Sequence, residues 1–184
     1  MTQPMDLSRA SLVALSRASF GALRGAMFRD LGLNAASVLQ EAGYAGGAEL
    51  FDAFAAWLST RGFGAPETLA ASDFAARATE FFGEIGWGSL ELSAAGPVAT
   101  IDSSNWAEAD PAQPMEFPCC YYTSGALADF FGRLAGQPLA VMEVECRSSG
   151  QERCRFLVGS GDVLQAVYDG MGRGESYLEV LGAQ

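Results

Sequence analysis

The spacing of hydrophobic and polar positions changes character partway along the chain. From about Asp6 to Leu31, the residues Leu12, Leu15, Phe20, Leu23, Met27 and Phe28 recur at roughly helical intervals, with Arg9, Arg17, Arg24 and Arg29 among them. The pattern predicts an amphipathic helix whose apolar stripe serves as core or as dimer surface. A second long helix is expected from Asn34, placed as its N-cap, to about Arg61, with Gly62 and Pro66 as stop signals. Its middle, Gly43-Tyr44-Ala45-Gly46-Gly47, weakens a helix but permits close backbone approach. Leu69 to Ile85 reads as a third helix capped by Ser72 or Asp73.

After Gly86 the period shortens. Trp87 to Ser93 and Pro97 to Ser103 carry strand signals around Ala94-Ala95-Gly96. Asn105 to Pro118 reads as a loop, and Tyr122 to Leu134 as a helix ending at Gly136. Leu139 to Glu145 and Arg153 to Val158 form an expected hairpin, followed by a helix over Asp162 to Met171 and an edge strand over Ser176 to Leu181. Helices first and strands later predict an α+β fold, with N-terminal helices packed on an antiparallel sheet. The expected division is a helical segment over 1–33, offering a dimer contact, and a ligand-binding domain over 34–184.

Composition narrows the function. With 184 residues, 49% of them hydrophobic, the chain can bury one sizeable core. A net charge of −11 and no clustered Lys or Arg argue against a nucleic-acid surface. The absence of histidine removes Ser-His-Asp and Cys-His catalysis, and no strand is followed by a nucleotide-binding glycine loop. Both observations weigh against an enzyme. No apolar run is long enough to span a membrane and the N-terminus lacks a basic leader, so a cytoplasmic protein is expected.

In a reducing compartment, four cysteines read as structural thiols or metal ligands. Cys146-Arg-Ser-Ser-Gly-Gln-Glu-Arg-Cys154 frames a turn. If that turn is symmetric about Gly150, the two cysteines face each other with Cβ atoms roughly 4.5–5.5 Å apart. Glu143 lies three residues before Cys146. A regular strand sends such residues to opposite faces, so the two share a metal only if the strand twists or turns before Cys146. Cys119 or Cys120 completes the set, and spacing does not choose between them. Buried reduced thiols remain the alternative.

The run Glu143-Val-Glu-Cys146-Arg-Ser-Ser-Gly150-Gln-Glu-Arg-Cys154-Arg-Phe156, with Cys120 and Gly125 upstream, resembles the signature of 4-vinyl reductase-type domains. The resemblance implies the ligand-binding fold shared with nitric-oxide-sensor and Golgi-transport domains, and a homodimer. It is similar to the sensor domains of aromatic-responsive bacterial transcription activators, which implies a structural zinc ion held by Cys120, Glu143, Cys146 and Cys154, thereby choosing Cys120. It also implies an apolar pocket, for which Trp106, Tyr121, Tyr122 and Trp87 are the candidates, with Phe81 and Phe82 beside them or in the core. The histidine those sensors use for a phenolic hydroxyl is missing, and no ATPase or DNA-binding region follows before Gln184. The expected function is a stand-alone small-molecule sensor for an aromatic or hydrophobic ligand, signalling through a protein partner. The alternatives are an accessory or carrier protein in tetrapyrrole metabolism, or a dimeric assembly module.

Overall fold

A computed structural model describes residues 11–182. α1 (Arg17–Leu31) starts where Ser16 accepts a hydrogen bond from the Ser19 backbone N–H, later than the sequence pattern implied. Residues 11–16 are not helical, and 6–10 lie outside the described residues. α1 lies against the rest of the chain through Phe20, edge-on to Trp87 and Tyr122, and through Phe28 beside Phe117 and Tyr121.

The expected 34–61 helix is two helices, α2 (Ala35–Ala45) and α3 (Gly47–Thr60), which meet at Gly46. The small-residue run that weakens the helix is where it breaks. Asn34 occupies the cap position without a side-chain capping bond. α4 (Ala71–Glu84) begins after Ala70, so neither Ser72 nor Asp73 is its cap. The expected close approach is present at Gly43, where a Cβ would sit 2.0 Å from the Tyr122 carbonyl oxygen. Reciprocally, a Cβ on Gly125 would sit 2.0 Å from the Gln40 carbonyl oxygen. These two glycines let α2 cross α5 (Tyr121–Ala135) at backbone contact.

β1 (Glu91–Ala95), β2 (Val98–Ser103), β3 (Ala140–Glu145) and β4 (Cys154–Gly159) form one antiparallel sheet in the order β1-β2-β4-β3. β1 starts at Glu91, and Trp87 precedes it in a turn instead of opening the strand. One face of the sheet carries α3, α4 and α5 over a core that includes Phe54, Phe81, Phe82, Phe130, Ile101 and Phe156. Burying each such side chain contributes about 1.5–3 kcal/mol. The other face packs α6 (Gly161–Gly172) and α7 (Tyr177–Gly182) through Leu157, Leu164, Val167 and Val180.

The C-terminal segment is therefore a helix and not an edge strand. Ser176 and Glu179 explain the difference. The Ser176 hydroxyl accepts from the Glu179 N–H at 3.2 Å, and Glu179 Oε2 accepts from the Ser176 N–H at 2.8 Å. This reciprocal pair is a capping box, which satisfies first-turn donors and starts a helix.

Candidate functional site

The site gathers where α5 begins and the β3–β4 hairpin ends. β3 pairs regularly with β4 up to Glu143↔Phe156 and then shifts, so that Glu145 faces Arg155. The extra residue is a bulge, which bends the strand and resets which face each side chain takes. Val144 and Glu145 consequently both turn towards the α6–α7 face, where Val144 packs with Leu157 and Glu145 bonds Arg153. Glu143 and Cys146 both turn inward. The strand thus makes the turn that the three-residue spacing required.

Cys120, Glu143, Cys146 and Cys154 bring one ligand atom each to within 4.8 Å of the others. The three cysteines are reduced and fully buried. Cys120 Sγ and Cys146 Sγ are 3.9 Å apart, far beyond the roughly 2.05 Å of a disulfide. A zinc–sulfur bond of about 2.3 Å sets the edge of a tetrahedron near 3.8 Å, so the spacing fits two thiolates on one ion. Glu143 Oε2 accepts from the Cys120 backbone N–H at 2.8 Å. Its other oxygen, Oε1, is buried with no hydrogen-bond partner. An orphaned carboxylate oxygen among three thiols is the donor a thiophilic cation lacks, and the cluster could hold a metal ion.

Electrostatics agree with that fit. Burial pushes Glu143 well above the usual carboxylate range, and the neighbouring Cys146 adds to the effect. Burial, followed by hydrogen bonding to Cys146, also raises Cys120. Cys146 is lowered because Cys119, Cys120 and Cys154 donate to it. Cys146 alone is shifted towards ionisation, whereas a bound divalent cation would favour the ionised form of the other three as well. Cys119, fully buried next door, is not one of the four converging residues.

The aromatic candidates lie on the other side of the same helix end. Trp106 is buried and packs against Phe82, Trp87 and Phe156. Trp87 stacks on Tyr122 with rings parallel to within 3° at 5.8 Å. Tyr121 points elsewhere, towards Phe28, and its hydroxyl is pushed up to about 12 by burial. Trp87, Trp106 and Tyr122 therefore form one packed cluster, with Phe81 and Phe82 in the core behind it.

Among the described residues, clefts open at two places on the surface. One of about 400 Å³ lies between α2, α5 and β3, where Tyr44, Gly125, Ala128, Leu139 and Val141 line it. The other, of about 320 Å³, is polar and lies between α1, the 107–113 loop and Arg147. None of the four aromatic candidates lines either cleft.

A further pair of residues was not singled out from the sequence. Glu108 is buried, and its Oε2 accepts from the Thr123 N–H at 2.8 Å and from the Thr123 hydroxyl at 2.5 Å. Its Oε1 accepts from the Tyr122 N–H at 3.2 Å, so the carboxylate caps α5 from outside the helix. The Thr123 hydroxyl in turn accepts from the Trp106 indole N–H at 2.7 Å. Arg24 is buried too, and donates to the Glu108 carbonyl oxygen. A signal for Arg24 exists in its spacing, since it falls four residues from both Phe20 and Phe28 on the inward face of α1. Nothing periodic marks Glu108 in its irregular loop.

Residues 98–160, from β2 through β4, match the family model of the 4-vinyl reductase domain. Over that segment the chain is similar to the 4-vinyl reductase family. All four clustered residues, together with Trp106 and Glu108, lie within the matched segment. Its fold is similar to the phenol-responsive sensory domain of the transcription activator PoxR, solved with phenol (TM-score 0.60, 19% identity, 80% of this chain and 75% of that one). It is also similar to a vinyl-4-reductase family protein from Methanocaldococcus jannaschii (TM-score 0.54, 22% identity, 80% and 82%). A third likeness is to subunit 3 of a trafficking protein particle complex from Naegleria fowleri, covalently bound to palmitic acid (TM-score 0.60, 14% identity, 84% and 96%). No curated protein matches the chain. At these identities the structural likenesses establish the fold alone, a mixed helical and antiparallel-sheet architecture shared with those proteins. Among the described residues, no helix is long and apolar enough to cross a membrane.

Proposed function

We propose that the chain is a cytoplasmic small-molecule sensor of the 4-vinyl reductase type, with a structural zinc ion held by Cys120, Glu143, Cys146 and Cys154. Its aromatic or hydrophobic ligand binds at the Trp87–Trp106–Tyr122 cluster. The observation that carries this reading is the convergence of four ligand atoms within 4.8 Å beside an unpartnered, buried Glu143 Oε1. Four protein ligands leave no open position, so the ion's role is to fix the hairpin against the start of α5. Zinc supplies the positive charge that lets three thiolates and a carboxylate share a buried site. No catalytic group is needed for this function.

The ligand site is closed in this structure by its own rings. Phe20 of α1 covers Trp87 and Tyr122 from outside, so the ligand enters by displacing α1 or the rings beneath it. The Trp106 N–H, held by Thr123, is the donor a phenolic or carbonyl oxygen would capture. The chain has no histidine to share that task. The PoxR domain, solved with phenol, supports an aromatic ligand. The N-terminal segment that contains α1 then offers the dimer contact through the exposed Leu15, Leu23, Leu31 and Leu33. Signalling passes to a protein partner.

Titrating the protein with phenol and larger apolar aromatics, followed by tryptophan fluorescence, tests the ligand assignment. Saturable binding that weakens about tenfold or more in Trp106→Phe, the loss of one donor to a buried oxygen, is expected. A folded wild type that binds none of these compounds contradicts the reading. The apolar cleft beside Gly125 supports a second reading, an acyl chain held between α2, α5 and β3, as the palmitate-bearing relative makes reasonable. Native mass spectrometry showing a retained lipid would favour it.

A further inference from the structure

Arg24 is 4% exposed in the middle of α1. Its Nη1 donates to the Glu108 carbonyl oxygen at 2.5 Å and to Cys119 Sγ at 3.7 Å. Among the described residues it forms no ion pair with a carboxylate group. The Glu108 carboxyl feels the guanidinium, but burial pushes it up to about 7, so it is an incomplete countercharge at neutral pH. A buried guanidinium left short of countercharge is costly, and the charge it lacks is close by. Cys119 directly precedes Cys120, one of the four clustered residues, so the contact from Arg24 through Cys119 reaches the edge of the cluster. Three thiolates and a carboxylate around a divalent cation carry a net charge of −2. A buried dianion beside a buried, under-compensated cation is a complementary arrangement.

We propose that Arg24 belongs to the outer sphere of the metal centre, so that docking of α1 and occupancy of the Cys120–Glu143–Cys146–Cys154 site by zinc are linked. The inference rests on the zinc reading above and extends it to a residue outside the segment that matches the family model. Linkage is reciprocal: the factor by which docked α1 tightens metal binding is the factor by which metal tightens docking. Because Phe20 of the same helix covers the aromatic cluster, metal occupancy also sets how firmly the ligand site is closed. A merely structural Arg24, bonded to the Glu108 carbonyl, would hold α1 equally with and without metal.

The test uses the full chain, untagged, in zinc-loaded and chelator-stripped forms, with zinc content measured on each sample. Hydrogen exchange over residues 17–31 reads docking, and competition against a chromophoric chelator reads zinc affinity. Stripping zinc should speed exchange in α1 more than in α3 or α4. Arg24→Met should lower zinc affinity roughly 10–100-fold, the usual effect of losing an outer-sphere partner, and should remove the metal dependence of α1 exchange. Arg24→Lys, which keeps the charge, should restore part of both and provides the readout if Arg24→Met fails to fold. Wild type that binds zinc but shows the same α1 exchange in both forms overturns the inference and leaves the zinc reading standing. Zinc affinity within about twofold of wild type in Arg24→Met overturns it as well. Wild type that takes up no zinc removes the zinc reading itself, and the inference falls with it.

Discussion

Glu108 receives two hydrogen bonds from Thr123, one from its backbone N–H and one from its hydroxyl, while the hydroxyl holds the Trp106 indole. Burial raises the Glu108 carboxyl from 4.5 to about 7, against the lowering influence of those bonds and of Arg24. Between these values the folded protein holds a proton that the unfolded chain has released. Stability therefore falls as pH rises from about 4.5 to 7, by on the order of 3 kcal/mol for a shift of this size. The Glu143 and cysteine titrations are common to both proteins in a comparison of wild type with Glu108→Gln. Urea unfolding across that range should show the decline in wild type and a flatter curve in Glu108→Gln. Equal slopes would contradict the assignment.

The α2–α5 crossing depends on two missing side chains. A Cβ at Gly125 would stand 2.0 Å from the Gln40 carbonyl oxygen and 2.8 Å from the Tyr44 nitrogen, both backbone atoms. Neither can move without shifting α2. Gly125→Ala should destabilise by at least about 1–3 kcal/mol, lowering Tm by roughly 2–12 °C. Gly83→Ala, with nothing within 4 Å of its Cβ position, is the control and should leave Tm near wild type. Thermal unfolding followed by circular dichroism distinguishes them, and an unchanged Tm in Gly125→Ala would refute the backbone-contact geometry.

On the opposite sheet face, the Tyr177 hydroxyl donates to Glu145 and accepts from Arg155 at 3.0 Å. Burial alone would raise Glu145, but Arg153, Tyr177 and Arg155 outweigh it and hold it below its usual value. The stability it contributes is present above the ordinary carboxylate pKa and is lost as pH falls through the depressed one. Tyr177→Phe should reduce stability by about 1 kcal/mol at neutral pH, with protease cleavage near α7 increased. No change in either measurement would show that α7 is held by Val180 and Leu181 alone.

Much of this fold is legible in the sequence where period and turn chemistry agree. The hairpin from Leu139 to Val158, the helix after Cys120 and the role of Gly43 in close packing all follow from local pattern. The C-terminal helix was readable as well, because Ser176 and Glu179 form a capping box whose spacing outweighs the β-prone Tyr177 and Val180. The bulge at Val144 is different. It depends on how β3 pairs with β4, a non-local fact that a two-residue period cannot announce, and without it Glu143 and Cys146 would point apart. Glu108 is equally hidden, since a carboxylate that caps a helix from another segment leaves no spacing signature. The aromatic candidates fared unevenly for a related reason. Trp87, Trp106 and Tyr122 pack together, while Tyr121, the next residue on the helix, faces Phe28.

The most direct test of the zinc-sensor reading is metal content, measured on untagged protein purified without added zinc, with Cys146→Ser, Cys154→Ser and Cys119→Ser alongside. About one zinc per chain is expected in wild type, lost together with folding stability in Cys146→Ser and Cys154→Ser, and retained in Cys119→Ser because Cys119 is not among the converging residues. A folded wild type without metal would contradict the account, leaving three buried thiols and the Glu143 carboxyl as its hairpin core.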